Sequence, residues 1–489
     1  METIATPSCN SATLAPYLPS QQEPWNITRA KHVYRRLGFG AIQSDLDSAL
    51  TLSPSQFIDS LVDTAFSLPN TPTPFWGYYA VSDFTDFELD NPTYINEWRI
   101  QTGNDFITED LRGRMAFFWM NHFVTGLETY FYSPYMFQYY NVIQTHALGN
   151  LKDFVHDIGI NSAMLLYLNG FENTNFSPNE NYARELYELF TLGEGNNYTE
   201  SDITNTARAL TGYNHWSEVG APIHFETSTF DDGVKTIFDQ EGPWGYEDVI
   251  DILFQERPTE IATHITTKLY QFFVSQAIDD IIEQNIIAPL AQTLIDNQFD
   301  LVPMLKQLFK SEHFFDERAV GVVIKSPYDM MFNFLNETGF YYDDMLMEAI
   351  VYYTGLIEQQ IYDPPDVSGW ARDEAWINTS TLTGRWELVQ IYVDFLYSSG
   401  SPLDLTDFAK DLTNNSNDPF FITKVIIDHF MSKELFTLSD YDDATEIFKW
   451  EVPQNYYDDG LWNLDWDSAP FQVALLLKHL ATLPEFQLK

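Results

Sequence analysis

Ser177-Pro178-Asn179-Glu180-Asn181-Tyr182-Ala183-Arg184-Glu185-Leu186-Tyr187-Glu188-Leu189-Phe190-Thr191-Leu192-Gly193 reads as one helix with its punctuation. Ser177 and Glu180 have capping-box spacing, and Pro178 takes the first helical position. Ala183, Leu186 and Phe190 form one apolar stripe, and Gly193 ends it. Thr199-Glu200-Ser201-Asp202 opens the next helix, with Asp in place of the usual Glu or Gln. Its stripe is Ile203, Ala207 and Leu210, and Gly212 stops it. The same signals predict helices over 27–37 (capped by Asn26, with Gly38 as a left-handed stop), from Pro54, and over 110–123, 133–149 and 151–168. They continue over 247–255, 258–275, 277–295, 301–311, 327–339 and 383–398. Loops are expected at 67–96, punctuated by Pro69, Pro72, Pro74 and Pro92, at 362–386, and in the acidic stretch 440–467. Residues 214–245 suit a short hairpin. Period-two alternation is scarce, so the class is all-α. The expected architecture is a large multi-helix single body with long, ordered, aromatic-rich loops. It comprises an irregular arm at 1–25 and a helical domain at 26–489, any sub-division falling near 340–360.

Composition narrows the function. The 489 residues carry 71 Asp+Glu against 25 Lys+Arg, a formal net charge of -46. Such a surface repels nucleic-acid phosphates and anionic lipid headgroups, so no nucleic acid is expected as partner. Cys9 is the single cysteine, which excludes an internal disulfide or a cysteine-built zinc site. No apolar run reaches the roughly 18–20 residues that span a bilayer. The first residues lack a basic stretch followed by an apolar one, so the cytoplasm is the expected compartment. The motifs of zinc peptidases, α/β-hydrolases, P-loop and Rossmann enzymes are missing.

Several segments form an ordered set: His32-Val33-Tyr34-Arg35-Arg36-Leu37-Gly38-Phe39-Gly40, Phe118-Trp119-Met120-Asn121-His122-Phe123 and Ala147-Leu148-Gly149-Asn150 come first. Ala163 to Leu168, Asn179 to Leu186 and Ala207-Arg208-Ala209-Leu210-Thr211-Gly212 follow. Lys268-Leu269-Tyr270, Lys325-Ser326-Pro327, Pro364-Pro365-Asp366-Val367-Ser368-Gly369-Trp370 and Pro484-Glu485-Phe486-Gln487 complete it. Together they resemble the large bacterial domain-of-unknown-function family numbered eighteen hundred, over about residues 28 to 488. The resemblance implies a mostly helical protein with no settled activity. It also implies a partner, an alkaline-phosphatase-like protein encoded nearby, and an exported (periplasmic or secreted) alternative to the cytoplasm. Relatives carry His where Met120 and Phe190 stand, and a His-Asp pair where this chain has Asp231-Asp232.

The family segments supply the candidate residues. Glu185 is the candidate acid/base or ligand, oriented by Arg208 from the next helix; the structural alternative is an Arg–Glu network joining two helices. His122 is the candidate for proton transfer, since imidazole titrates near neutrality; its aromatic setting equally suits a core histidine. His146, His156 and His32 are weaker, although His156-Asp157 resembles a metal dyad. Candidate binding residues are Arg35, Arg36, Trp119, Asn121, Asn179, Glu180, Asn181, Arg184, Lys325, Trp370 and Arg385. Glu180, Arg184 and Glu188 are spaced for an ion-pair ladder. No metal ligand set and no cofactor are predicted; Ca²⁺ is the one cation considered, at Asp231-Asp232-Gly233 or Asp440 to Glu446. Loop aromatics such as Trp76, Tyr78, Trp244, Trp370 and Trp466 serve either as loop anchors or as sugar-stacking platforms.

Three functional readings stand. The leading one is a binding or assembly protein acting with a partner enzyme. The second is a helical enzyme acting on a glycan or other polar polymer through Glu185 and His122. The third, a metal-dependent hydrolase, is the weakest, because Met120 and Phe190 cannot replace imidazole. Seven basic residues (Arg35, Arg36, Arg184, Arg208, Lys268, Lys325 and Arg385) lie in or beside the family segments. This predicts internal basic groups inside an acidic shell.

Overall fold

A computed structural model describes residues 13–216, 218, 220–398 and 401–489. Cys9 and the first half of the predicted arm lie outside the described residues. Helices dominate, as the all-α expectation requires. The described strands form two small antiparallel pairs, which begin at Tyr213 and otherwise fall in the stretch expected to hold a hairpin. Tyr213–His215 pairs with His224–Phe225, and Lys235–Ile237 with Gln240–Gly242.

Contacts divide the chain into two units. The first takes residues 13–18, 54–314 and 360–370. Its core is aromatic: Trp76, Trp98, Phe106, Trp119, Phe123, Tyr139 and Tyr140 are buried. Of the loop aromatics, Trp76 and Trp370 are buried here and Tyr78 is exposed; Trp76 stacks on Tyr94 and meets Trp98 edge-on. Such packing buries large area and adds ring–ring attraction. Tyr17 of the arm is buried, its N–H donating to the Lys310 carbonyl at 2.8 Å.

The second unit takes Pro19–Ser53, Phe315–Gln359 and Ala371–Lys489. Its helices include Ile27–Leu37, Pro327–Thr338, Asp344–Leu356, Thr379–Ser398, Pro419–Phe430, Leu438–Lys449 and Ala469–Leu480. Asn26 caps the first through the Arg29 N–H, and Ser326 with Asp329 forms a capping box on the second.

Several local expectations need correction. The helix predicted from Pro178 begins at Asn181, because the Asn179 side chain accepts the Asn181 N–H while Ser177 turns back on Thr174. Its continuation, Leu186–Thr191, is π-helical rather than α. Gly38 is not left-handed; Gly40, at φ +90°, makes that turn. Pro92 lies inside the helix Phe87–Thr108, which Asp86 caps, so it does not punctuate a loop. Residues 151–168 split into Leu151–Gly159 and Ser162–Tyr167, since Asn161 is extended and caps the second. Helix Asp344–Leu356 is an addition, and the first third of the expected acidic loop belongs to the helix Leu438–Lys449, opened by a Thr437–Asp440 capping box.

Candidate functional site

In the first unit the family segments are tied together by buried polar contacts. Asn173 is the knot. Its Oδ1 accepts the Asn179 N–H (2.9 Å), its Nδ2 donates to the Ala207 carbonyl (2.8 Å), and its own carbonyl accepts the Gly212 N–H. Asn181 donates to the Asn169 side chain at 3.4 Å. Trp119 is fully buried and donates through Nε1 to the Ala147 carbonyl at 2.9 Å. Asn121 Oδ1 accepts the Trp370 N–H at 2.5 Å. A Cβ at Gly369 would overlap Asn121, and its φ of +91° favours glycine as well, so this residue type is what lets the Trp370 loop approach.

His122 is buried against Phe118, with rings nearly parallel at 6.0 Å, and packs on Trp119 and Phe123. Its Nε2 lies 3.1 Å from the Phe190 carbonyl. A carbonyl only accepts, so Nε2 carries the proton in this contact. His264 donates in the same way to the Leu189 carbonyl at 3.1 Å, and its ring lies 6.2 Å from that of His122. Both imidazoles therefore brace carbonyls of the π-helical segment. Met120 and Phe190 are buried apolar side chains at the positions where the resemblance implies histidines.

Arg208 does not reach over to Glu185. It pairs with Asp231 (2.8 Å) and donates to Asn205 and to the Val234 carbonyl. The reason is local: the strand Lys235–Ile237 packs beside the helix Glu200–Ala209 and delivers Asp231. Arg184 builds the predicted ladder with Glu180 (3.5 Å) and Glu188 (3.1 Å), extended to Glu200 at 2.7 Å. Glu185 stands apart, half-buried. Burial, reinforced by the Glu188 charge, raises its carboxyl above the ordinary range, and Arg184 offsets only part of that. Burial also raises the Tyr167 hydroxyl, with Asp366, Glu185 and Asp363 adding to the shift, so these carboxylates share one neighbourhood.

His146, Asp157, His156 and Glu247 form a hydrogen-bonded row, at 2.7, 2.8 and 3.0 Å. Burial opposes the charge on His156, but Glu247 and Asp157 prevail and raise its affinity for a proton. Of the two stretches considered for Ca²⁺, Asp231 is engaged by Arg208 and the Gly233 N–H, and Asp440 to Glu446 lies along a helix. Among the described residues, no three His, Cys, Asp or Glu side chains gather as a metal ligand set.

The second unit holds four motif cations inside, Arg35, Arg36, Lys325 and Arg385, whereas Lys268 lies half-buried in the first. Arg35 meets Glu337 through Nε (2.5 Å) and Nη2 (2.9 Å), both side chains being 2% exposed. Burial alone would raise the Glu337 carboxyl; the Arg35 guanidinium outweighs it and holds the carboxyl below its usual range. Arg36 donates to the Ala319 carbonyl at 2.6 Å. Arg385 donates to Gln487 at 3.1 Å and to the Lys325 carbonyl, while the Lys325 N–H donates to the Gln487 carbonyl. The Lys325 ammonium is fully buried, lies over the Phe486 ring at 4.6 Å, and has no hydrogen-bond partner among the described residues. Burial pulls it down to about 7.

The same unit contains a cavity of about 860 Å³ beside the helix Ile27–Leu37. Arg29, Lys31, His32, Arg35 and Lys433 contribute to its wall. Lys31 Nζ donates to the His429 carbonyl at 2.8 Å and lies 3.3 Å from His429 Nδ1. His429 Nε2 in turn donates to the Glu337 carbonyl at 2.8 Å, which leaves Nδ1 as the acceptor. Burial, with Lys31 adding, depresses His429 to about 4, so it stays neutral at physiological pH.

The family model described as Protein of unknown function (DUF1800) matches residues 32–488. The chain belongs to the DUF1800 family. No curated protein and no solved structure matches it. The structure gathers the DUF1800 segments into two groups. Trp119, Asn121, Asn179, Asn181 and Trp370 lie with His122 in the first unit, and Arg35, Arg36, Lys325 and Arg385 lie in the second. It does not bring Glu185 and Arg208 into contact. Sequence reasoning missed Asn173, His264, His429 and Lys433. Only Lys31 left a signal: with Arg29, Arg35 and Arg36 it makes the first helix basic and free of carboxylates in a strongly acidic chain.

Proposed function

We propose that this protein works by binding, as an assembly partner of an enzyme, rather than by catalysis. The observation that carries the reading is that the proton-transfer candidate His122 and the orienter Arg208 are both engaged elsewhere. His122 is buried against a backbone carbonyl, and Arg208 is held by Asp231 away from Glu185. A general acid–base pair needs both groups within reach of one substrate. The alkaline-phosphatase-like protein encoded nearby, suggested by the family resemblance, is the partner to try first. Co-expression followed by size-exclusion chromatography should give a stoichiometric complex of the two chains. The same preparation should leave marine and cell-wall polysaccharides intact. Turnover of any of these that disappears in Glu185→Gln would sink the reading.

That enzymatic alternative has one observation in its favour: the Glu185 carboxyl is raised, as a general acid requires, and shares its neighbourhood with Tyr167 and Asp366. Among the described residues, no helix is long and apolar enough to cross a membrane. Fractionation of the native cells would assign the compartment, cytoplasm being the first expectation and export the alternative drawn from relatives.

A further inference from the structure

The cavity beside the helix Ile27–Leu37 differs from the rest of the molecule in charge. The chain carries 71 acidic against 25 basic residues, yet the wall of this cavity takes Arg29, Lys31, Arg35 and Lys433 against Glu317, Asp428 and Glu434. Two of those three carboxylates are already engaged. Asp428 accepts from Lys424 Nζ and from the Tyr441 hydroxyl, each at 2.6 Å, and Glu434 lies 3.3 Å from the same Lys424. Arg35 is matched by Glu337. Lys31 is different: among the described residues no carboxylate lies within 4.0 Å of its ammonium, whose contacts are with His429. Two of its three donors are thereby directed and one is left over. Lys433, exposed at the rim, has no ion pair among the described residues either.

The remaining wall mixes apolar side chains (Ile27, Phe315, Val320, Leu412, Val425 and Met431) with neutral polar ones such as Asn26, Thr28, Gln43 and Ser432. The volume falls in the range of about 300–1,000 Å³ found for small-molecule sites. Apolar walls with a few placed polar groups are the usual make-up of such sites. A cation without a carboxylate beside such walls is matched by an anionic head on an apolar body. The His429–Glu337 carbonyl contact fixes the imidazole that aims Lys31, so the charge is held in place before a ligand arrives.

We propose that this cavity binds an organic oxyanion, a carboxylate or phosphate head on an apolar body, with Lys31 as its principal counter-charge and Lys433 at its entrance. The inference rests on the binding reading above but fails separately from it. Polysaccharide turnover would remove that reading and leave the cavity untouched, whereas a cavity indifferent to anions leaves complex formation untouched.

Isothermal titration calorimetry of the full chain at pH 7 tests it with octanoate, octyl phosphate and the uncharged octanamide. The two anions should bind at least tenfold more tightly than the amide, and the tighter of them identifies the preferred head. Lys31→Met should weaken anion binding at least tenfold and leave octanamide unchanged. Lys433→Met, at an exposed position, should weaken it about threefold, and it decides the matter alone if Lys31→Met fails to fold by circular dichroism. Octanamide binding as tightly as the anions, no heat from either anion at millimolar concentration, or wild-type affinity in the folded lysine variants overturns the proposal.

Discussion

Arg184 in the first unit and Arg35 in the second both stand inside family segments, yet they live in opposite environments. Arg184 is one-third exposed and touches three carboxylates; Arg35 is 2% exposed and touches one, Glu337, 302 residues away in sequence. The difference follows from the neighbouring sequence. Arg184 has Glu180 and Glu188 four residues to either side, so its charge is matched along its own helix surface. The helix Ile27–Leu37 contains no acidic residue, so Arg35 finds a counter-ion only where the chain folds back over it. Of these two, the cation with acids at helical spacing stays near water, and the one without them is matched by burial against a distant carboxylate. Arg385 is buried too, but Gln487 and the Lys325 carbonyl hold it, and the buried Lys325 ammonium has no hydrogen-bond partner among the described residues.

The largest expected effect breaks the buried pair. Glu337→Gln should destabilise the protein by about 3–5 kcal/mol, because it leaves the Arg35 charge buried and unmatched. Urea unfolding at pH 7 measures this, and a loss below about 1 kcal/mol would erase the contrast between the two units. The lowered Glu337 value also sets a direction. Stability from this pair is present above the usual glutamate range and is lost as pH falls through the lowered value.

Next comes a gain. Lys325 is held at about 7 in the folded protein against 10.5 when exposed, so between these values the unfolded state binds more protons and stability rises with pH. The penalty is fully present below pH 7 and gone above about pH 10.5. Lys325→Met should therefore stabilise the protein by roughly 2–4 kcal/mol at pH 6, with the advantage fading toward pH 10. Thermal melts across that window test it; a destabilised variant at pH 6 would mean the ammonium has a partner worth more than its burial penalty.

The smallest effect sharpens the contrast from the other side. Arg184→Ala should cost at most about 1 kcal/mol and lose even that in 1 M salt, since exposed pairs are weak and screened. A salt-independent loss of several kcal/mol would place Arg184 with Arg35.

Much of this was legible beforehand. The caps at Asn26 and Thr199, the Glu180–Arg184–Glu188 ladder and the all-α class all rest on spacings within a few residues, which sequence displays directly. The Arg208–Asp231 pair was not legible, because it depends on a two-stranded ribbon returning to the helix Glu200–Ala209. The Lys31–His429 contact spans 398 positions and leaves no local trace beyond a basic helix. Asn173 was invisible for a different reason: one amide joins two motifs while standing in neither.

The π-helical stretch Leu186–Thr191 bears on how this chain tolerates changes in length. A π turn accommodates one more residue than an α turn over the same rise. Removing a single residue from 186–191 would let the segment relax into ordinary α-helix, redirecting the carbonyls within the turn while the chain beyond keeps its course. Leu189 and Phe190 would then no longer present their carbonyls to His264 and His122. The two imidazoles thus act as a gauge of residue count, and this stretch should admit substitutions far more readily than insertions or deletions.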